Sequence, residues 1–206
     1  MSAIIFDFDG TIADSFDYVA DFLAGEVGIE QLTIEQRNQL RHKSMTAMTR
    51  YLNYPKWKLP SLYFRGRKAM SSEIITIQPY SGIPDVIRKL HSEGHELFIV
   101  TSNSLNNVHE FLHQHNLHIY FLKVVASVSI FGKAGALRKL LKEQNLPIED
   151  SLYIGDELRD IQAAKSIKLG VVAVTWGFAQ IKELQAAKPL RVVNKPEDLI
   201  KILEEL

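Results

Sequence analysis

Six residues carry the chemistry open to this sequence. Asp7 and Asp9 stand two apart at the end of the apolar stretch Ala3-Ile4-Ile5-Phe6, Thr101 closes a second apolar stretch, Lys133 stands by itself, and Asp156 precedes Asp160 by about one helical turn. Residues two apart in an extended segment point the same way, so Asp7 and Asp9 are expected to face a single pocket, with Gly10 permitting the sharp turn that follows. Such a pair alone says little, because carboxylates at strand ends often cap a turn. Its meaning comes from combination with the other four. The chain has no cysteine, which excludes a disulfide framework, thiolate catalysis and a cysteine zinc site, and leaves carboxylates, hydroxyls and lysines.

Carboxylates gathered with one lysine and one threonine suit phosphoryl chemistry. A phosphoryl group brings several negative charges, and a carboxylate can attack it only when those charges are neutralised and the nucleophile is aimed in line. A hard divalent cation meets that need. Asp7 and Asp156 offer the oxygen ligands Mg²⁺ prefers, and Asp160 stands ready to support them. Lys133 adds a fixed positive charge. Thr101 offers a hydroxyl and an amide at the start of the following helix, where free N–H groups favour an anion.

These residues need a frame that brings them together. Ala3 to Phe6, Leu97 to Val100, Val124 to Ala126, Leu152 to Ile154 and Val171 to Val174 are short runs rich in Ile and Val, as expected of strands buried on both faces. Between them, apolar residues recur at helical spacing: Val86, Ile87, Leu90; Leu105, Val108, Phe111, Leu112; Leu137, Leu140, Leu141; Leu158, Ile161, Ala164. Gly94, Asn145 with Pro147, and Gly170 fall near the ends of these helices. Alternating strand and helix predicts a three-layer, Rossmann-like α/β fold on a parallel sheet. The chemistry-bearing residues then fall at the carboxyl ends of the strands, where open parallel sheets bind ligands.

Residues 14–78 break the alternation. They hold no buried-strand run, and Phe16, Val19, Ala20, Leu23, then Met45, Met48, Leu52, recur at helical spacing. The expected organisation is a catalytic core of residues 1–13 and 79–206, with a small helical cap, 14–78, inserted after the first strand. Gln78-Pro79 to Gly82 is the expected return, and Pro84 opens the next helix. The net charge is zero, yet charge is segregated: the charged residues from Asp14 to Glu35 are all acidic, and those from Arg37 to Lys68 all basic. Acidic and basic helices packed together explain this simply. Focusing of an anionic substrate is the sharper reading, with Arg41, Lys43, Arg65 and Arg67 as candidate contacts. His109, His113, His115 and His118 cluster, but no third zinc ligand lies at a recognisable spacing, so they read as surface residues.

Asp7-Phe8-Asp9-Gly10-Thr11, Thr101, Lys133 in Phe131-Gly132-Lys133-Ala134-Gly135, and Gly155-Asp156-Glu157-Leu158-Arg159-Asp160 resemble, in order, the four motifs of the haloacid dehalogenase superfamily. The resemblance runs from residue 3 to about 175. The inserted helices and Val174-Thr175-Trp176-Gly177-Phe178 are similar to its phosphoglycolate phosphatase-like branch. It implies an Mg²⁺-dependent phosphatase for small phosphomonoesters, phosphoglycolate among them. In that family the residue matching Asp7 forms an aspartyl-phosphate and the one matching Asp9 serves as acid and base. The resemblance makes Thr101 and Lys133 catalytic, gives Gly10, Thr11, Ser102 and Asn103 to substrate, and gives the metal to Asp7, Asp9 through its main-chain carbonyl, Asp156 and Asp160. The second aspartate favours phosphate over halide, whose departure needs no proton. Ala134 stands where many relatives have proline. A phosphosugar mutase using the same intermediate and a phospho-receiver module are the alternatives. The expected partner is a small phosphorylated metabolite. Neither nucleic acid nor membrane is expected, and the chain is expected to be a cytoplasmic monomer or homodimer, its acidic N-terminus being unlike a signal peptide.

Overall fold

The structure, a computed structural model, describes residues 2–41, 43–126 and 132–205. Its elements run β1 (Ala3–Phe6), α1 (Phe16–Glu26), α2 (Ile34–Leu40), α3 (Met45–Tyr51), α4 (Leu59–Glu73), α5 (Ile83–Ser92), β2 (Glu96–Thr101), α6 (Leu105–Gln114), β3 (Phe121–Ala126), α7 (Lys133–Glu143), β4 (Ser151–Gly155), α8 (Leu158–Lys165), β5 (Gly170–Val174), α9 (Ile181–Ala186), β6 (Arg191–Val193) and α10 (Asp198–Glu204). The strands form one parallel sheet in the order β3-β2-β1-β4-β5-β6. Strand order reverses between β1 and β4, so the loops leaving these two strands flank the crevice where such sheets bind ligands.

The period-two alternation of β1 builds both layers. Ile4 and Phe6 join the core formed with Ile87 and Leu90 of α5 and Val108 and Phe111 of α6. Ala3 and Ile5 join the opposite core, with Leu137 and Leu140 of α7 and Ile161 of α8. Ile4, Ile5 and Phe6 are wholly buried, worth about 1.5–3 kcal/mol each in removed apolar surface. The helices end where a left-handed residue is available: Gly94 after α5 and Asn145 after α7 both have positive φ.

Two strands differ from expectation. β3 begins at Phe121, and its residues are only partly covered because it is a sheet edge. β6 pairs with β5 at the other edge, and its three residues, opened by an arginine, carry too short an apolar signal to read. Thr101 also differs, since it ends β2 while α6 starts at Leu105 behind the Ser104 cap, so its amide does not open the helix.

Between β1 and β2 the chain forms α1 to α4. It leaves and returns through adjacent residues: Asp14 N–H donates to the Gln78 carbonyl, Tyr80 N–H donates to that of Ile12, and Ala13 bridges to Pro79. Within this segment the charge blocks neutralise each other. Arg37 of α2 donates to Asp17 (2.9 Å) and Asp21 (2.5 Å) of α1, and Arg65 of α4 grips Glu26 (3.0 and 2.5 Å). Arg41 lies over the Phe16 ring and Lys43 over that of Tyr51. On α6 and just after it, His113 stacks on His118, and His115 bonds to the Ile77 carbonyl. Among the described residues, no helix is long and apolar enough to cross a membrane.

Candidate active site

Phe8 decides how the first motif is displayed. Its ring is wholly buried and meets Phe111 edge-on at 4.9 Å, which anchors the loop after β1 between its two carboxylates. Asp7 lies beneath, with its Oδ1 accepting from the Phe8 N–H at 2.8 Å. Asp9 opens towards the helices, its Oδ1 accepting from Ser15 Oγ (2.9 Å) and its Oδ2 from Asn103 Nδ2 (3.0 Å). The two aspartates thus occupy different surroundings.

Asp7 belongs to a buried charge cluster. Lys133 Nζ, at the start of α7, lies 2.8 Å from Asp7 Oδ2 and also pairs with Asp160 Oδ1. Asp160 caps its own helix, its Oδ2 accepting from the Glu157 N–H at 3.0 Å. Asp156 leaves β4 wholly buried and is held by the Thr11 hydroxyl (3.0 Å) and the Phe178 N–H (2.7 Å). Two glycines make room for it: at Gly10, which has φ +80°, and at Gly177, an added Cβ would collide with the Asp156 carboxylate. Burial pushes the Asp7 carboxyl up to about 7, with Lys133 pulling it down. Burial, then Asp160, Glu157 and Asp7, push Asp156 up as well. Burial opposes charge on Lys133, yet Asp160 and Asp7 hold it above its ordinary value.

This cluster fits a hard cation. Oxygens of Asp7, Asp156 and Asp160 all lie within 4.8 Å of one another. Three carboxylates face one ammonium, and a single divalent cation would neutralise the excess. An all-oxygen donor set with one lysine nearby is the kind Mg²⁺ takes. Among the described residues, Asp160 is the third carboxylate within reach of Asp7 and Asp156, while Glu157 pairs with Arg159.

Asp9 floors a separate cleft of about 70 Å³, enclosed between the sheet edge and α1 and α4. Tyr18, Phe22 and Met70 form apolar walls; Arg67, Glu157 and Arg159 supply its charge. Ser102 also faces it, with a buried hydroxyl that has no hydrogen-bond partner. Burial raises the Asp9 carboxyl, and the bonds from Ser15 and Asn103 oppose the rise.

Of the residues expected to meet substrate, Ser102 and Asn103 line this cleft. Gly10 and Thr11 lie against Asp156 instead, and the Thr11 hydroxyl is engaged there. Thr101 is wholly buried, its Oγ1 accepting from the Asn103 N–H at 2.9 Å, which shapes the loop that carries Ser102 and Asn103. Of Arg41, Lys43, Arg65 and Arg67, Arg67 alone lines the cleft. Trp176 packs against the core and donates from Nε1 to the Thr11 carbonyl. Phe131, next to the lysine motif, lies outside the described residues. Sequence reasoning missed Arg159, whose position inside the fourth motif drew attention to its acidic neighbours. A basic residue in the first turn of a helix, against the dipole, was the available signal.

Comparison with known proteins agrees with this geometry. A family model for haloacid dehalogenase-like hydrolases matches residues 4–174. A phosphoglycolate phosphatase from Synechococcus elongatus is 34% identical over 209 residues, covering 100% of this chain and 99% of that protein. A phosphoglycolate phosphatase from Aliivibrio fischeri is 27% identical, covering 97% and 95%. The crystal structure of a predicted phosphatase from Clostridium acetobutylicum superposes with a TM-score of 0.83 at 23% identity, covering 100% and 99%.

Proposed function

The chain belongs to the haloacid dehalogenase-like hydrolase family, and on that premise we propose that it is an Mg²⁺-dependent phosphatase acting on phosphoglycolate through an aspartyl-phosphate on Asp7. The observation that carries this reading is the division between the two aspartates, one inside a buried charge cluster and the other at the floor of a cleft. In this reading residues 14–78 act as a cap that closes the leaving-group side of the site.

Mg²⁺, held by Asp7, Asp156 and Asp160 with the Asp9 main-chain carbonyl, would neutralise phosphoryl oxygens. A carboxylate oxygen of Asp7 attacks phosphorus, the bond from phosphorus to the glycolate oxygen breaks, and Asp9 gives its proton to that oxygen. The upward push of burial on Asp9 supports this role, since an acid must hold its proton until the leaving oxygen needs it. Asp9 then takes a proton from water as the water attacks phosphorus, releasing phosphate and restoring Asp7. Lys133 stands against Asp7 to balance charge, and the free Ser102 hydroxyl is placed to donate to a phosphoryl oxygen.

The narrowness of the cleft, walled by Tyr18, Phe22 and Met70 with Asp9 at its floor, supports a small substrate. The names of the two relatives support phosphoglycolate among small esters. The test is inorganic phosphate release from phosphoglycolate with and without Mg²⁺. Release that needs Mg²⁺ and vanishes in Asp7→Asn supports the reading. Isomerisation of a sugar phosphate without phosphate release would replace it with a mutase.

A further inference from the structure

The cleft contains cations that the transfer of the phosphoryl group does not use. Arg159 is the second residue of α8, where a positive charge opposes the helix dipole. Lys133, at the start of α7, breaks the same rule, and there the ion pairs with Asp7 and Asp160 explain it. For Arg159 the compensation is incomplete. Its Nε lies 2.5 Å from Glu157 Oε2, but neither Nε nor Nη1, both buried atoms, has a hydrogen bond of sound geometry. A buried donor without a partner is costly, the more so when charged, so the arrangement is one that a ligand would complete.

A second cation converges on the same space from the opposite side. Arg67, on α4, is partly buried and lines the cleft, and no hydrogen bond or ion pair engages its guanidinium among the described residues. Burial lowers it from its ordinary value, the Asp9 charge opposes that, and Arg159 adds to it. Two like charges brought together above Asp9, with Glu157 as the close partner of one, leave room for another anion.

We infer that Arg159 and Arg67 together form a carboxylate-reading subsite, which selects phosphate esters whose leaving group carries its own negative charge. This rests on the phosphatase reading above. Its geometry follows from the chemistry: the phosphoryl group sits over Asp7, the ester oxygen meets Asp9, and what lies beyond Asp9 is the cleft that the two guanidiniums line. A planar guanidinium donates two parallel hydrogen bonds to a carboxylate, which a neutral substituent cannot accept in the same way. Glu157 lies against Arg159 Nε on the wall of the cleft and offsets one of the two cations.

The experiment compares kcat/KM for phosphoglycolate with that for 2-hydroxyethyl phosphate, which replaces the carboxylate by a neutral alcohol of similar size. The wild-type ratio is expected to be about 10 to 100, the scale of hydrogen bonds to a charged group. Arg159→Gln and Arg67→Gln should each reduce that ratio about tenfold or more, and Arg159→Lys, which keeps the charge but loses the fork, should fall between. Because the readout is a ratio, a general loss of folded enzyme cancels. A wild-type ratio near one, with both esters hydrolysed, overturns the inference and leaves the phosphatase reading intact. Unchanged ratios in both glutamine variants overturn it too. Failure of the wild type to release phosphate from either ester or from a generic aryl phosphate overturns the phosphatase reading itself.

Discussion

The sheet edge and the helices above it use charge in opposite ways. At the edge, the side chains of Asp7, Lys133 and Asp160 are no more than 3% exposed, and they pair where little water can screen them. In α1 and α2, Arg37 meets Asp17 and Asp21 with the acidic side chains 64% and 55% exposed. Buried charges are costly to leave unmatched, so their geometry is tightly constrained. Exposed pairs are screened by solvent and constrain little. The same residue types therefore hold chemistry in one region and cover a surface in the other.

Removing the nucleophile should separate the regions most sharply. Asp7→Asn is expected to lower kcat by roughly 10⁴-fold or more, measured by phosphate release. A variant with near wild-type turnover would end the assignment of Asp7. Asp9→Asn should cost about 10²–10⁴-fold, and less for an aryl phosphate, whose leaving oxygen needs the proton less. Equal losses on good and poor leaving groups would remove Asp9 as the acid.

The next effect reads packing. Gly177→Ala forces a methyl group onto Asp156 and should destabilise the protein by roughly 1–3 kcal/mol, seen in denaturant unfolding. Unchanged stability would mean the loop relaxes freely. Proton linkage comes after it. Burial raises Asp7 from an ordinary 3.8 to about 7, so the metal-free folded state keeps a proton that the unfolded chain gives up above about pH 4. Its stability should fall as pH rises from about 4 to about 7. Binding of Mg²⁺ requires that proton to leave, so added Mg²⁺ should raise the melting temperature by a few degrees more at pH 8 than at pH 5. The reverse order would contradict a cation on Asp7. Smallest of all, Arg37→Gln should change stability by less than about 1 kcal/mol. A larger loss would show that the surface pairs are more than a cover.

Legibility in the sequence divided along the same line. β1, β2, β4 and β5 are nearly continuous apolar runs because both of their faces are covered, and the residues after them were readable as an edge. The edge strands β3 and β6 were read short or missed because partial cover leaves a mixed pattern. Asp7, Lys133, Asp156 and Asp160 could be named because their chemistry requires one another. Arg159 could not, since its meaning depends on a cleft whose other wall is α4, a hundred residues earlier in the chain. Likewise, no spacing distinguished Arg67 from Arg41, Lys43 and Arg65. Only the turn of α4 over Asp9 does that.

The crossing at Ala13 and Pro79 has a consequence for leverage. The outgoing and returning chains are stitched there by the bonds of Asp14 to Gln78 and Tyr80 to Ile12, and Asp9 itself bridges to Ala13. If the four helices swing as a body, this stitch is the fulcrum, and displacement grows with distance from it. Asp9 stands almost on the fulcrum and barely travels. Asn107 Nδ2 of α6 donates to the Arg67 carbonyl of α4 at 2.9 Å, a bond that such a swing would have to break. A door hung this way would open while the carboxylate beside its hinge pin, Asp9, keeps its place.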